Sequence, residues 1–353
     1  MLSTLFHIPA RLTVGGWSLP LFGWGLALAI WAVCAAVLIG RSLRQRGARH
    51  TAAVLALPLA ITGCLIAFIL PALDDGQGIP VRGYGVMLLA AATAGTWLSI
   101  RRGRTMGFDA DTIVALALEV FLWGLVGARL FYVIEYREQF FPPGRSFVQA
   151  LPDVLNLAAG GLVVFGSLPT AALAAWRFAA RRGLPILKLA DCIAPGLLVG
   201  LALGRIGCLL NGCCYGGPCD LPWAIRFPSQ SPPWFDQAAR GLIPAAAPWS
   251  LPVHPAQLYA AIDAGLLAAV AMAFTPLARR PGEVFALVLT LHPISRLLLE
   301  GIRIDEPPMF GTGLSISQLV SIVLLALATA LWWWLSRQPA VPLHSTADPN
   351  PNY

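Results

Sequence analysis

Charged residues are scarce in this chain of 353 residues. Asp, Glu, Lys and Arg make up 12% of it, whereas hydrophobic residues make up 57%. Soluble globular domains contain about 25% charged residues, so about half that share over this length excludes an ordinary soluble protein. Together with its long apolar runs, the shortage of charge predicts a polytopic integral membrane protein.

The sequence also lacks a continuous basic face, a signal peptide and a C-x-x-C pair. Its 24 Lys and Arg residues form short clusters between apolar runs, so the net charge of +7 does not indicate nucleic-acid binding. The first apolar run is longer than a signal-peptide core and follows no basic segment, so we expect no cleavage. The seven cysteines are too scattered for a small disulfide scaffold.

Nine apolar runs have the length of a membrane-spanning helix, about 17 to 25 residues. They lie at 19–40, 52–73, 84–100, 112–135, 158–180, 189–211, 257–275, 283–302 and 315–336. We therefore predict an all-α polytopic bundle of about nine spans.

Basic residues are concentrated in the connections that follow the odd-numbered runs. The other connections hold few of them. Because cytoplasmic loops are enriched in Lys and Arg, we predict an external N-terminus and a cytoplasmic C-terminus. The residues that set this orientation are Arg41, Arg44, Arg46, Arg49, Arg101, Arg102, Arg104, Arg177, Arg181, Arg182, Lys188, Arg279, Arg280 and Arg337.

Three features interrupt the alternation of spans and short loops. Residues 212–256, rich in Pro and Trp, form a long external connection, either a segment on the outer membrane surface or a spacer with interfacial Trp. Residues 19–30 align without gaps to 79–90, through duplication or through convergence of two helix starts. The polar tail, 338–353, is predicted to be disordered.

One segment at the end of the sixth run is unusually polar and rich in glycine for a membrane span. Residues 204–217 read GRIGCLLNGCCYGG. Arg205 either extends its guanidinium to the membrane surface or has a function at membrane depth. The glycines allow close backbone approach, and a guanidinium holds two phosphate oxygens at once, so we predict a phospholipid-headgroup site.

A second candidate anion site lies near the outer end of the eighth run. Residues 296–303 read RLLLEGIR, with Arg296 and Glu300 four residues apart on one helical face and Arg303 three residues further on. The pair either stabilises the helix or forms an anion clamp in which Glu300 orients the guanidinium. His292, one turn before Arg296, is a candidate base.

Two further groups leave alternatives open. Arg129 in the fourth run either extends to the membrane surface or has a function there. The cysteines between Cys208 and Cys219 are packing residues, a disulfide on the oxidising side, or a redox site. Zinc is weakly supported because no C-x-x-C pair is present, and we expect no metal site.

Taken together, these segments resemble the bacterial prolipoprotein diacylglyceryl transferases. The order and spacing agree from about 79 to 336, which covers seven spans. The resemblance makes 1–78 an added two-span segment and 79–337 a transferase-like core. The matching segments are GYGVM at 83–87 (the family's Tyr-Gly pair), 191–216 (its signature G-R-x-G-N-x-x-N-G-E-x-x-G), HPAQLYA at 254–260 (its H-P-x-Q-L-Y-E), and 296–303 with Phe310 onward (its closing R-x-x-x-E-x-x-R and final span).

The resemblance implies an enzyme at the outer face of the bacterial inner membrane. It implies transfer of the diacylglyceryl group of phosphatidylglycerol to the lipobox Cys of a prolipoprotein signal peptide, with release of glycerol phosphate. No cofactor is expected, and the oligomeric state is open. We predict Arg205, Arg296, His292 and Glu300 as catalytic residues, and Tyr84, Asn211, Gly212, Gly216, His254, Gln257, Tyr259 and Arg303 as substrate-binding residues.

The chain also departs from the family pattern at named positions. Phe165 replaces a motif His, Cys208 a motif Asn, and Cys213 and Ala260 motif Glu residues, while His292 stands where Tyr is frequent. Three other functions therefore stay open: lipid transfer to a different acceptor, thiol–disulfide exchange by the clustered cysteines, and transport.

Overall fold

The computed structural model describes residues 4–14, 17–46, 48–156, 160–303 and 311–340, and most of these residues are helical. The chain divides into two compact units. One comprises Met1–Met87 with Leu210–Gly212, and the other comprises Leu88–Leu209 with Cys213–Tyr353.

The first unit combines two short strand pairs with a helical hairpin. β1 pairs with β4 and β2 with β3, both antiparallel. Pro58 lies within α2, which leads into a π-helical turn, and Trp31 Nε1 of α1 donates a hydrogen bond to Thr62 Oγ1. The elements are β1 (Thr4–Ile8), β2 (Arg11–Val14), β3 (Trp17–Pro20), α1 (Leu26–Arg46), α2 (Ala48–Cys64), the π-turn (Leu65–Ile69), α3 (Leu70–Ala72) and β4 (Ile79–Arg82).

The remaining described elements are all helices, seven of them long and three short. They are α4 (Gly83–Thr105), α5 (Ala110–Glu135), α6 (Arg137–Phe140), α7 (Phe147–Leu155), α8 (Val164–Arg181), α9 (Ile186–Asn211), α10 (Pro232–Ala239), α11 (Ala256–Phe274) with a 3₁₀ turn (Thr275–Leu277), α12 (Glu283–Glu300) and α13 (Ile316–Ser336). The short helices are α6, α7 and α10.

Helices overlap all nine predicted apolar runs, and the protein is a multi-pass helical membrane protein. The all-α prediction is wrong for the first unit, which contains two strand pairs, and the first run begins in β3 and becomes helical only at Leu26, after Pro20, Gly23 and Gly25. Among the described residues, six helices are long and apolar enough to cross a membrane: α1, α4, α5, α9, α11 and α13. Many of their large side chains face outward, such as Leu118 and Leu266, as expected for helices in contact with lipid. The count of nine spans and the orientation stay predictions.

Small residues let the long helices approach closely. A Cβ atom added to Gly127 of α5 would lie 2.4 Å from the Gly166 carbonyl oxygen of α8, and one added to Gly166 would lie 2.3 Å from the Gly127 carbonyl oxygen. Gly95 of α4 and Gly196 of α9 have the same relation. Backbone contact of this kind allows helices to associate in a lipid environment, where hydrophobic burial supplies no driving force.

Polar contacts connect α4, α9 and the start of α12 within the second unit. Asp191 of α9 is fully buried and accepts hydrogen bonds from the backbone nitrogens of Gly282 (2.5 Å) and Phe285 (2.7 Å) at the start of α12. Arg102 of α4 donates to the Asp191 and Cys192 carbonyl oxygens. Because helix N-termini leave N–H groups unpaired, Asp191 caps α12 from a neighbouring helix.

The long connection has a small core of its own. Tyr215, Phe227 and Val253 are buried together, and Trp234 donates to the Ala247 carbonyl oxygen. Trp223 and Trp249 are exposed. The connection is therefore a folded segment, which is more than a spacer.

The aligned segments 19–30 and 79–90 each run from a short strand into a long helix. Their glycines nevertheless differ, because a Cβ added to Gly25 would lie 2.0 Å from the Pro20 carbonyl oxygen, whereas Gly85 has open space. Most of the predicted disordered tail, 341–353, lies outside the described residues, as does Phe310.

Candidate active site

Three segments singled out from the sequence meet in the second unit. The Gly216 nitrogen donates to the His254 carbonyl oxygen, and the His254 nitrogen donates back to the Gly217 carbonyl oxygen, both at 3.0 Å. The Gly217 nitrogen donates to the Ile302 carbonyl oxygen, also at 3.0 Å. A Cβ at Gly216 would lie 2.6 Å from His254 Cβ, so this junction requires glycine. The glycine-rich segment is thereby joined to the region of Arg303.

Arg296 is held by a polar network at the C-terminal end of α12. It forms an ion pair with Glu300, one turn later, and its Nη2 donates to Ser317 Oγ at 2.6 Å. Ser315 Oγ donates to Glu300 at 2.5 Å and accepts a hydrogen bond from the Gln318 nitrogen. Glu300 is buried, so its two oxygens connect the guanidinium to the cap of α13.

Arg205 has a different environment from Arg296. Among the residues that the structure describes, its guanidinium has no hydrogen-bond or ion-pair partner. Its charge acts on His292 of α12 together with those of Arg296 and Asp263. Arg205 is half-buried near the end of α9, where its donors are available to a ligand.

Buried polar atoms without a partner border this region. Within the described part of the chain, His254 Nδ1, Gln257 Oε1 and His292 Nδ1 are inaccessible and make no hydrogen bond. Gln257 is fully buried, and its Nε2 donates to the Cys213 carbonyl oxygen at 2.8 Å. Unpaired buried polar atoms are rare in folded proteins, and several at one place indicate a site for a polar ligand.

The turn after α9 brings three cysteines together. The sulfur atoms of Cys208, Cys213 and Cys214 all lie within 4.8 Å of one another. The pKa of the Cys214 thiol is lowered, because the thiols of Cys208 and Cys213 hydrogen-bond to it and the Arg303 and Arg205 charges act on it. All seven cysteines lie in the described residues, and none of them forms a disulfide, including Cys219 outside the cluster.

Comparison with known proteins decides the family. A family model described as prolipoprotein diacylglyceryl transferase matches residues 71–334. The chain belongs to the prolipoprotein diacylglyceryl transferase family. The resemblance inferred from the motifs is therefore confirmed.

Several relatives are named phosphatidylglycerol–prolipoprotein diacylglyceryl transferase. One from Rhodopirellula baltica is 28% identical over 436 residues, which covers 92% of this chain and 87% of the relative. One from Clostridium tetani is 28% identical, covering 71% of this chain and 92% of the relative. One from Gloeobacter violaceus is 31% identical, covering 74% and 91%. The match with the Rhodopirellula protein extends over most of this chain.

Arg129 does not extend to the membrane surface, as one interpretation of the sequence allowed. It is buried in α5, and its five N–H donors meet five backbone carbonyl oxygens at 2.6–3.1 Å. Such a guanidinium has no donor left for a phosphate. The five acceptors belong to Asp153, Val154, Asn156, Gly160 and Gly161, and the last two begin the stretch that differs from the family motif at Phe165.

Other predicted residues lie at element ends. Tyr84 is in the first turn of α4 with 41% of its surface exposed, and Asn211 is the exposed last residue of α9. Gly212 follows with a φ of 75°, a left-handed conformation that suits glycine. Tyr259 accepts a hydrogen bond from Trp223 Nε1 at 2.7 Å, which ties the long connection to α11.

Two groups near the site were missed from sequence. Ser315 and Ser317 hold Glu300 and Arg296, and Asp263 accepts a hydrogen bond from Ser295 beside His292. The Ser315–Gln318 pair has the spacing of a capping box before the last apolar run, which is a detectable signal. Asp263 was detectable as an acidic residue inside the seventh run.

Proposed function

We propose that this protein transfers the diacylglyceryl group of phosphatidylglycerol to the lipobox cysteine of prolipoproteins. The thiol sulfur forms a thioether bond to the glyceryl carbon, and the bond from that carbon to the phosphate oxygen breaks. Glycerol phosphate leaves with the bonding electron pair. The family and the names of its relatives support this activity.

The hydrogen bond from Gly217 to Ile302 is the observation that carries the proposal. It joins the Arg205 segment to the end of the Arg296 helix, and Gly216 pairs with Arg303 in an isolated bridge. We infer that the guanidinium groups of Arg205, Arg296 and Arg303 bind one phosphodiester. Arginine donors suit phosphate oxygens, and fixed donors stabilise the charge that develops on a departing phosphate.

Glu300 acts as a positioning residue in this proposal. Its ion pair fixes one side of the Arg296 guanidinium and offsets part of the charge that it carries in a buried place. The opposite side is held by Ser317. A guanidinium fixed before the substrate arrives stabilises the leaving phosphate without reorganising during the reaction.

The acceptor thiol has to lose its proton, because the thiolate is the nucleophile. We propose His292 as the base, since its Nδ1 is buried without a partner in the described residues. The phosphate of the substrate is the alternative proton acceptor. Phe165, at the position of a family His, has no group able to take a proton.

The other predicted residues orient the substrates. His254, just before α11, and Gln257, in α11, form hydrogen bonds with the glycine-rich segment. Together with Tyr259 they suit the headgroup or the peptide backbone. Gly216 leaves room for their close approach. We assign Tyr84, Asn211 and Gly212 to substrate binding on their place in the family motifs.

We further propose that the protein lies in the bacterial inner membrane and that its site faces outward. The charge pattern of the loops supports nine spans, an external N-terminus and a cytoplasmic C-terminus. A prolipoprotein that has crossed the membrane presents its lipobox cysteine on that side. The two spans within 1–78 are additional to the seven-span core at 79–337.

The test is transfer from phosphatidylglycerol to a lipobox peptide by the full chain in detergent. Arg205→Ala and Arg296→Ala should each lower the rate by about 100-fold or more, because each removes a donor to the departing phosphate. Arg240→Ala is the matched control: this arginine pairs with Asp236 in the long connection, and its loss should leave the rate unchanged.

Complementation of a strain depleted of its own transferase tests the proposed activity in the cell. Growth with the wild-type chain and none with Arg296→Ala is expected. Wild-type rates in both arginine variants would overturn the phosphate assignment, and absence of transfer by the wild-type chain would overturn the activity.

A further inference from the structure

Cys208, Cys213 and Cys214, in the last turn of α9 and the turn that follows it, form a cluster whose composition and sulfur–sulfur distances suit a thiophilic metal. Tetrahedral zinc sites have Zn–S bonds of about 2.3 Å, which place their sulfur atoms about 3.8 Å apart. The three sulfur atoms here already lie within 4.8 Å of one another, so rotations of the side chains close the difference. This arrangement was only weakly indicated from sequence, because Cys208, Cys213 and Cys214 contain no C-x-x-C spacing.

The backbone is folded to bring these thiols together. Cys208 lies in the last turn of α9, and the Cys213 nitrogen returns to its carbonyl oxygen at 3.1 Å. Cys214 has a φ of 59°, a left-handed conformation that disfavours residues with a side chain. Glycine would relieve that strain but would remove one of the three thiols.

The surroundings suit three metal-bound thiolates. Three thiolates and one divalent ion carry a single net negative charge, which is costly to bury without compensation. The charges of Arg205 and Arg303 act on Cys214 and supply that compensation. Gln257 fixes the Cys213 carbonyl oxygen from α11, as outer residues commonly support the residues that bind a metal.

We propose that Cys208, Cys213 and Cys214 bind one thiophilic divalent metal ion, of which zinc is the best match, and leave its fourth position to the acceptor thiol. Three protein ligands with an open fourth position are characteristic of catalytic zinc sites, whereas structural sites are closed by four. The motif Asn and Glu of the family have become Cys208 and Cys213 at this place.

The role of the metal rests on the proposed transferase function. A thiol that binds the metal loses its proton, which passes to His292 or to solvent. Its sulfur then attacks the glyceryl carbon, the bond from that carbon to the phosphate oxygen breaks, and glycerol phosphate departs toward Arg205 and Arg296. The metal thereby activates the nucleophile in a protein with Phe165 at the position of the family His.

The first experiment measures metal in the full chain, purified in detergent with its thiols kept reduced. We expect about one zinc ion per chain in the wild type and in Cys219→Ser, a matched control outside the cluster. Cys213→Ser and Cys214→Gly should lose it. The glycine variant fits the left-handed backbone, so its loss of metal is not a folding defect.

A second measurement replaces zinc with Co²⁺. A tetrahedral thiolate site should give sulfur-to-cobalt charge-transfer absorption in the wild type and not in Cys214→Gly. Binding of a lipobox peptide should shift the cobalt d–d bands, whereas the same peptide with Ser in place of its Cys should not. Equal metal content in the wild type and Cys214→Gly, or a disulfide within the cluster in protein isolated from membranes, would overturn the proposal.

Further outcomes distinguish failure of the metal-site proposal from failure of the proposed transferase activity. Arg296→Ala should keep its zinc and lose transfer. Transfer by a wild-type chain that binds no metal would overturn the metal site alone. Stoichiometric zinc in a wild-type chain without transfer would support the site and overturn the activity.

Discussion

The arginines of this protein differ in how many of their donors are already used. Arg129 gives all five to backbone carbonyl oxygens. Arg296 is held by Glu300 and Ser317, and Arg205 has no hydrogen-bond partner among the described residues. Since an occupied donor is unable to bind a ligand, the same residue type supports the fold at one place and suits substrate binding at another.

Arg129→Lys should destabilise the protein. Lysine has three donors on one nitrogen and is unable to reach five carbonyl oxygens, so at least two of these hydrogen bonds are lost. At about 1.5–3 kcal/mol for each hydrogen bond to a charged group, the loss amounts to about 3–6 kcal/mol. Thermal unfolding in detergent should show a lower midpoint, and the exposed Arg137→Lys, on α6, should not. An unchanged midpoint would contradict the structural role.

His292→Phe should lower the transfer rate at neutral pH by at least about tenfold, because general-base catalysis is lost. A free thiol ionises near pH 8.5, so the deficit should narrow as pH rises through that value. The pH–rate profile of the variant measures this, with His7→Phe in the first unit as the control. A profile parallel to the wild type would rule out His292 as the base.

At the scale of elements, the glycine contacts of α5 with α8 set how near the two helices lie. A Cβ at Gly127 would lie 2.1 Å from Thr170 Oγ1, whereas one at Gly124, nearly one turn earlier, would have ordinary contacts of 3.7 and 3.9 Å. Two substitutions of the same kind therefore have opposite expected effects on one helix.

Gly127→Ala should destabilise the bundle by about 1–3 kcal/mol, because the methyl group forces the helices apart. Gly124→Ala should be neutral or stabilising by up to about 1 kcal/mol, because alanine favours helix. The thermal unfolding midpoints of the two variants are measured in the same detergent and compared with that of the wild type. Similar midpoints would show that the contact is not tight.

The helices were predictable because apolar runs of spanning length have few other uses. The predicted 112–135 became Ala110–Glu135, and 315–336 became Ile316–Ser336. The concentration of cysteines between Cys208 and Cys219 was visible in the sequence, but which three of them meet was not, because their contact depends on the left-handed conformation of Cys214. The hydrogen-bond partners of Arg129 were not predictable either. They are backbone carbonyl oxygens, which every residue has, so the sequence does not distinguish the residues that supply them.

For the whole molecule, the charge pattern makes a prediction about topology. Alkaline phosphatase, which folds only outside the cytoplasm, should be active when fused after Ala246 and inactive when fused after Gly183 or Arg337. A fluorescent protein that folds in the cytoplasm should give the reverse. Activity after Gly183 would contradict the proposed orientation and with it the external site.

The contact of Asp191 with the start of α12 has a consequence for the whole protein. Fourteen residues separate Asp191 from Arg205 along α9, and fourteen separate Gly282 from Arg296 on the other helix. At 1.5 Å per residue, the Cα atom of each arginine lies about 21 Å along its helix from that common origin. The two helices therefore carry both arginine Cα atoms the same distance from the Asp191 contact, and a site for lipid phosphates, which occupy a thin layer, requires such a match. Slippage of α12 by one turn, about 5.4 Å, would shift Arg296 by that distance relative to Arg205 and would carry His292 and Arg303 with it.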